Sequence, residues 1–545
     1  MLNWVWLSLI ILGISSALYI DINDISTNKY HNNETVPVEI IFNQQFNPDT
    51  TASYNATVLI TAAMYNKIYH DSLQTNLSLP VIVNVNSEKN SRTVVVMVDN
   101  SAPAVFQMMA KTSGDEDKII AKMEGYSSIS ASTIKAKIIF EEISFVKLKE
   151  VTNQTINYAG IAVKIALGLI GIMALWLGVM KVADEAGLIK KLANFIKPLT
   201  TKLFPDVPPD HPAVGAMIMN ISANMLGLGN AATPFGLKAM EELDKLNPEK
   251  GTATNAMVTF LAINTAGLTL IPATAIAVRA AAGSADPAII IGPSIFGATC
   301  ATITGITAAK LLEKFPVKKG EWSNWWQQNW KIPAFVFGII AFFFIASVTG
   351  LLTLLGSFFS LIGPETLKQI MQILSTLAIP FLIAIFIGYG AIKKVNVYEQ
   401  FVEGAKEGFN IAVKIIPYLV AMLVAIGIFR AGGALDNWLT PVMKIFTNPL
   451  GMPPEALPMA LIRPLSGSGS LGVMAEIISV HGADSFIGVL VSTFFGSTET
   501  TFYVLAVYFG AINIRKTRHA LAAGLLADVA GILGALFIVK LMFGV

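Results

Sequence analysis

The chain has 545 residues, of which 54% are apolar and 14% charged, with mean hydropathy +0.61 and a formal net charge of +2. That balance excludes an ordinary soluble globular protein and gives no basic surface for nucleic acid. The single cysteine, Cys300, excludes an internal disulfide and cysteine-based zinc or iron–sulfur sites, and five scattered histidines speak against a metal centre, so no cofactor is expected.

Residues 1–19 are apolar and uncharged, with no basic leader and no small-x-small cleavage site before Asp21. They read as a retained first transmembrane helix rather than a signal peptide. Residues 20–156 change character, with 15 Asp/Glu against 11 Lys/Arg. Alternation and β-branching predict strands over 36–42, 52–60, 80–85, 93–98 and 135–140, separated by Asn/Asp/Ser turns. This is expected to be a small β-rich extracytoplasmic domain, with an accessory or partner-binding role rather than an enzymatic one.

Two membrane modules follow, over 157–315 and 406–545, joined by a two-helix transmembrane connector over 316–405. Each opens on the same motif, Ile161-Ala-Val-Lys-Ile165 and Ile411-Ala-Val-Lys-Ile415, and then passes a Pro-Pro turn, Pro208-Pro209 and Pro453-Pro454. Spans are predicted over 161–179, 289–311, 332–355, 370–392 and 521–538, near or above the roughly 20 residues that cross a bilayer. Lys190, Lys191, Lys197 and Lys202 place the loop after 161–179 in the cytoplasm. Lys314, Lys318 and Lys319, then Lys393 and Lys394, carry the same sign through the connector. The first module therefore starts outside and the second inside, an inverted repeat of the kind secondary transporters use. Trp322, Trp325, Trp326 and Trp330 read as interfacial anchors.

Polar breaks interrupt both modules. In the first, Asn220, Asn224, Gly227, Gly229, Asn230, Thr233 and Pro234 interrupt a helical stretch, and Asn230 or Thr233 is placed to cap its restart. A second polar line runs through Asn264 and Thr265 to Pro272, with Arg279 read as an interface anchor. In the second module Arg463-Pro-Leu-Ser466-Gly-Ser468 and Ser497-Thr498-Glu499-Thr500 interrupt apolar runs, and Asp528 lies in the last span. Charges at membrane depth mark a cavity, an ion path or an internal pair. The substrate-binding candidates are thus Asn224, Asn230, Thr233, Asn264, Thr265, Arg463, Ser466, Ser468, Ser497, Thr498, Glu499 and Thr500. Glu499 and Asp528 are the coupling candidates, and Arg463 with Glu499 is a candidate pair. The competing reading of the same residues is a Gly/Ser/Asn seam for helix packing, which needs no ligand.

These motifs carry a resemblance. Residues 157–312 resemble the spore maturation A family through Asp210-His-Pro212, Asn224-Met-Leu-Gly-Leu-Gly-Asn230-Ala-Ala-Thr-Pro234 and Lys238-Ala-Met-Glu-Glu242. Residues 406–541 resemble the spore maturation B family through Arg463-Pro-Leu-Ser-Gly-Ser-Gly469 and the run from Gly496 to Gly510. Both are nucleoside-recognition, or gate, domains. The resemblance implies a polytopic α-helical protein of the bacterial inner membrane with two gate-type repeats, and its label suggests a nucleoside-like ligand. The insertion of 20–156 departs from the usual pattern. The expected function is a transporter or channel for a small polar solute, and not an enzyme. The alternative is a non-transporting scaffold or receptor that captures an extracytoplasmic protein through 20–156. Membrane lipids and a second copy of the chain are further expected partners.

Overall fold

The computed structural model describes residues 2–89, 91–113, 117–227, 232–313, 330 and 364–544. Asn230, the tryptophans at 322, 325 and 326, the lysines at 314, 318 and 319 and the span expected over 332–355 lie outside the described residues. The chain forms two compact units, one of Leu7–Ile156 with Gly427–Trp438, the other of Met1–Trp6, Asn157–Ile426 and Leu439–Val545.

The first unit holds a six-stranded antiparallel barrel: β1 (Val36–Phe42), β2 (Ala52–Ile60), β3 (Leu77–Asn86), β4 (Ser91–Met97), β5 (Lys118–Ser130) and β6 (Thr133–Phe140). Strand β6 returns to pair with β1, setting Val36 opposite Ile138 and Val38 opposite Ala136, so no sheet edge is left open. Alternate residues point inward, and Val38, Ile40, Val58, Val83, Val94 and Ile138 fill the interior. Strand β5 was not anticipated. Its second half, Glu124 to Ser130, is wholly exposed, with register shifts after Met123 and Ser128, so it lacks the apolar alternation that betrays a strand. Two short helices, α2 (Ala62–Tyr69) and α3 (Ala104–Ser113), also went unread; they bury Tyr65, Tyr69 and Phe106 against the barrel core.

Helix α1 (Leu2–Ser26) continues past residue 19, the end expected for the first span. Its buried Asp21 accepts from the amides of Lys147 at 2.8 Å and Leu148 at 2.9 Å, capping the long helix α4 (Val146–Glu185).

The second unit is helical. After α4 come α5 (Leu188–Leu203), α6 (Pro212–Met225), α7 (Thr233–Lys245), α8 (Asn255–Ala266), α9 (Ala273–Ala281) and α10 (Ile291–Leu312). After the undescribed stretch come α11 (Pro364–Ile392), α12 (Val397–Ala431), α13 (Thr440–Thr447), α14 (Leu457–Ile462), α15 (Gly467–His481), α16 (Phe486–Ser497), α17 (Thr501–Ala511) and α18 (Ala520–Phe543). From α4 and again from α12 the helices run in the same order, with α11 outside the match: a long helix, a short one, two pairs separated by a break, and a closing span. Among the described residues, five helices are long and apolar enough to cross a membrane: Trp6–Ser26, Val146–Glu185, Pro287–Leu312, Val397–Ala431 and Ala520–Phe543. Leu167, Phe381, Tyr418 and Val529 stand exposed on the long helices, which suits hydrocarbon and not water.

The closing spans α10 and α18 pack against each other, and each also touches both α8 and α16. Small residues make this approach possible. Ala298, Ala301 and Gly305 on α10 and Ala527, Gly531 and Ala535 on α18 are all buried, so the backbones close without a hydrophobic driving force. The same device joins α4 to α12, where Gly404 and Gly408 lie against the backbone of Leu177 and Met173.

Candidate functional site

Four interruptions, one in each broken helix, meet in the helical unit. Helix α6 ends at Met225 and the chain turns at Gly227 with φ 80°, and α8 is capped by Gly267 with φ 60°, both left-handed conformations that glycine adopts without strain. Helix α14 stops before Pro464, and α16 opens into extended backbone at Thr498. Backbone groups freed by one break are taken up by another. The Glu499 amide donates to the Thr265 carbonyl at 2.9 Å, Phe502 to Pro464 at 3.0 Å and Leu270 to Met225 at 2.8 Å. Irregular backbone in a membrane protein survives only with such internal partners or beside a polar cavity. Both conditions hold here.

A cavity of about 80 Å³ lies at the junction. Asn224 and Gly227 contribute from the first break, Gly267, Thr269 and Pro272 from the second, Arg463 from the third, and Thr498 and Glu499 from the fourth. The Arg463 side chain is 4% exposed and Glu499 is 47% exposed, their nearest charged atoms 3.6 Å apart. Arg463 also donates from Nη2 to the Thr498 carbonyl and reaches Thr500 Oγ1 at 3.5 Å, while its guanidinium stacks 4.3 Å above the Phe495 ring. The candidate pair is therefore a contact, and Arg463 holds the unwound segment in place.

Next to the cavity runs an amide–phenol network. Asn224 donates to Asn264 Oδ1 at 2.9 Å, and Asn264 donates to the Phe260 carbonyl at 2.9 Å. Tyr508 donates to the same Asn264 oxygen at 3.3 Å and accepts from Asn220 at 3.2 Å. Tyr508 and the buried Asn220 were not among the sequence candidates. Asn220 was readable, since it lies one helical turn before Asn224; Tyr508 was not, because an aromatic in an apolar run reads as core.

The remaining candidates separate. Thr265 is buried, its hydroxyl bonded to Ala262 in its own helix at 3.0 Å, and it enters the junction through its carbonyl. Ser466 caps α15 by accepting from the Gly469 amide at 3.0 Å. Ser468 sits half-buried in the first turn of that helix, outside the cavity lining. Ser497 does not line the cavity: its hydroxyl returns to the Thr493 carbonyl at 2.6 Å, and its side chain lies against Gly297. Thr233 is the first residue of α7, but the cap position falls on Ala232 with no side-chain bond, so Thr233 neither caps that helix nor lines the cavity. Asp528 is buried behind the junction and accepts from the Thr501 hydroxyl at 2.6 Å. Glu476 in α15 is a further buried carboxylate that sequence reading passed over.

Arg279 overturns its expectation as an interface anchor. It is fully buried and donates to Ala483 at 2.5 Å, Ser284 at 3.0 Å, Asp286 at 3.1 Å, Pro287 at 3.2 Å and Asp484 at 2.9 Å. It thereby fastens the loop before α10 to the loop between α15 and α16. Burial pushes the Asp484 carboxyl up, but bonds from the Ser284 hydroxyl and Ala285 amide, with the Arg279 charge, outweigh this and hold it below the usual range. Snorkelling failed as a guide because five acceptors, two of them some 200 residues away in sequence, satisfy the guanidinium internally.

Comparison with known proteins fits this architecture. The family described as "Gate: Nucleoside recognition" matches residues 166–281 and 412–515, the two broken-helix modules. Spore maturation protein B of Bacillus subtilis is 53% identical over 176 residues, 32% of this chain and 98% of that protein. Spore maturation protein A of the same organism is 44% identical over 173 residues, 32% of this chain and 88% of that protein. Inner membrane protein YjiG of Escherichia coli is 34% identical over 87 residues, 15% of this chain and 54% of that protein. No solved structure is significantly similar. Relatives covered almost end to end, and one family matched in both halves, make this multi-pass membrane chain a member of the Gate nucleoside-recognition family that unites modules similar to spore maturation proteins A and B.

Proposed function

We propose that the protein is a transporter or channel for a small polar solute, with its site at the cavity where the four helix breaks meet. The observation that carries this reading is the convergence of breaks from both modules on one polar cavity beside a buried arginine and a half-exposed carboxylate. Helix packing alone does not require a cavity, nor an arginine at that depth. In this reading the modules at 157–315 and 406–545 are inverted repeats, and 20–156 is extracytoplasmic. The matched element order, the mutual packing of α8, α10, α16 and α18, and the lysines of α5 support it. The family description extends the candidate solutes to nucleoside-like molecules.

The test is uptake into proteoliposomes across a metabolite panel under proton and sodium gradients. Saturable flux above empty vesicles is expected for at least one solute; identical flux with and without protein would remove the reading. Orientation is checked with an impermeant thiol reagent, which should reach a cysteine at Glu88 from outside the cell and not one at Lys190.

A closed barrel that a minimal carrier does not need favours a second reading, a scaffold or receptor working through residues 20–156. Deleting 22–154 while keeping the first span separates the two. A scaffold loses its co-purifying partner, whereas a carrier keeps ligand-dependent stabilisation.

A further inference from the structure

We infer that the cavity receives the carboxylate of a small organic anion, an inference that rests on reading the cavity as the solute site. Arg463 is the main reason. Its side chain is 4% exposed, it lines the cavity, and its Nε finds no hydrogen-bond partner. The Thr500 contact at 3.5 Å is at the limit of a hydrogen bond. The Glu499 oxygen at 3.6 Å is well beyond the 2.7–2.9 Å of a charge-assisted one. Nη2 holds the Thr498 carbonyl, but the rest of this planar fork of donors is buried with its carboxylate partner out of bonding range.

Two further groups face the same space. Thr498 lines the cavity, and its hydroxyl is buried without a partner. Pro272, Ala273 and Thr274 form another wall; they begin α9, a helix of nine residues whose first turn no side chain caps. The Ala273 amide donates to the Ile271 carbonyl at 2.8 Å, and the positive end of the helix beyond it favours an anion. At roughly 30 Å³ per water, 80 Å³ is room for a carboxylate head. The rest of the solute would extend past Glu499, whose 47% exposure marks the open side.

Glu499 then acts as an internal stand-in, occupying the field of Arg463 until a solute carboxylate takes the fork and the glutamate turns to solvent. Asp528 is bonded to Thr501 outside the lining.

The experiment is thermal unfolding of the detergent-purified full chain, titrated with sodium acetate, with acetamide and with sodium chloride at matched ionic strength. Acetate should raise the midpoint saturably, while acetamide and chloride should not. Glu499→Gln removes the competitor and should lower the acetate concentration for half effect by about tenfold, the order of one charge-assisted bond. Arg463→Gln should abolish the shift. If that variant does not fold, Glu499→Gln still decides. Equal shifts with acetamide or chloride, or weaker acetate binding in E499Q, would overturn the inference. Because no flux is read, acetate binding without transport would sink only the transporter reading. Transport of neutral solutes without acetate binding would sink only this one.

Discussion

Arg463 and Glu499 face each other across two breaks, yet the structure loads them unequally. Arg463 is buried and supports the Thr498 carbonyl, the Thr500 hydroxyl and the Phe495 ring, whereas Glu499 is half exposed and touches Arg463 only loosely. Arg463→Ala should therefore cost about 2–3 kcal/mol, the usual penalty for leaving a buried acceptor, the Thr498 carbonyl, without its charged donor. Glu499→Gln should cost about 1 kcal/mol or less, as exposed pairs do, while altering flux or its pH dependence. Thermal unfolding in detergent measures both; equal losses would show that Glu499 is as structural as Arg463. A second residue sets a pH limit. Burial, then the neighbouring Arg518, lowers the His519 imidazole to about 4, although a bond to the Ala309 carbonyl opposes this. The folded state thus refuses a proton that the unfolded chain accepts between about pH 6.5 and 4. Stability should fall as pH drops through that window and stay flat above it. Replacing His519 with Gln should flatten the curve, and an unchanged slope would remove His519 as its source. At this scale the charged residues were legible because charge is rare in apolar spans. Arg279 and Tyr508 were not, since their meaning depends on Asp484 and on Asn220 and Asn264, which only the fold brings near.

The elements that matter most are those that stop early. Gly267 ends α8 in a left-handed conformation, and a Cβ there would come 2.5 Å from Cγ of Glu499. Gly267→Ala should therefore cost about 1–2 kcal/mol for the conformation alone and displace Glu499 from the cavity. Lost stability with unchanged flux would separate the turn from the site. Breaks were legible wherever glycine, proline and hydroxyl residues cluster, as in the stretch from Arg463 to Ser470. In the barrel, β1 and β2 run where alternation placed them, over Val36–Phe42 and Ala52–Ile60. β5 escaped because closing the barrel, and not burial of alternate residues, holds its outer half in place.

Across the whole molecule, two modules repeat the same element order, and each supplies two of the four breaks at one cavity. One family matching both halves fits the paired motifs, because duplicated signals in sequence survive in any fold they share. The meeting of the breaks was not, since it depends on which helices pack together, and small residues permit many pairings. Solute site or dry packing seam is the question on which everything else turns. Labelling of single cysteines in a chain whose one native cysteine, Cys300, is replaced by Ala tests it most directly. Thr269 lines the cavity, while Ser497 lies buried against Gly297. A solute site predicts that Thr269→Cys reacts readily with a small polar thiol reagent, is slowed by the transported solute, and outpaces Ser497→Cys by at least an order of magnitude. Thr269→Cys as inert as Ser497→Cys would contradict it.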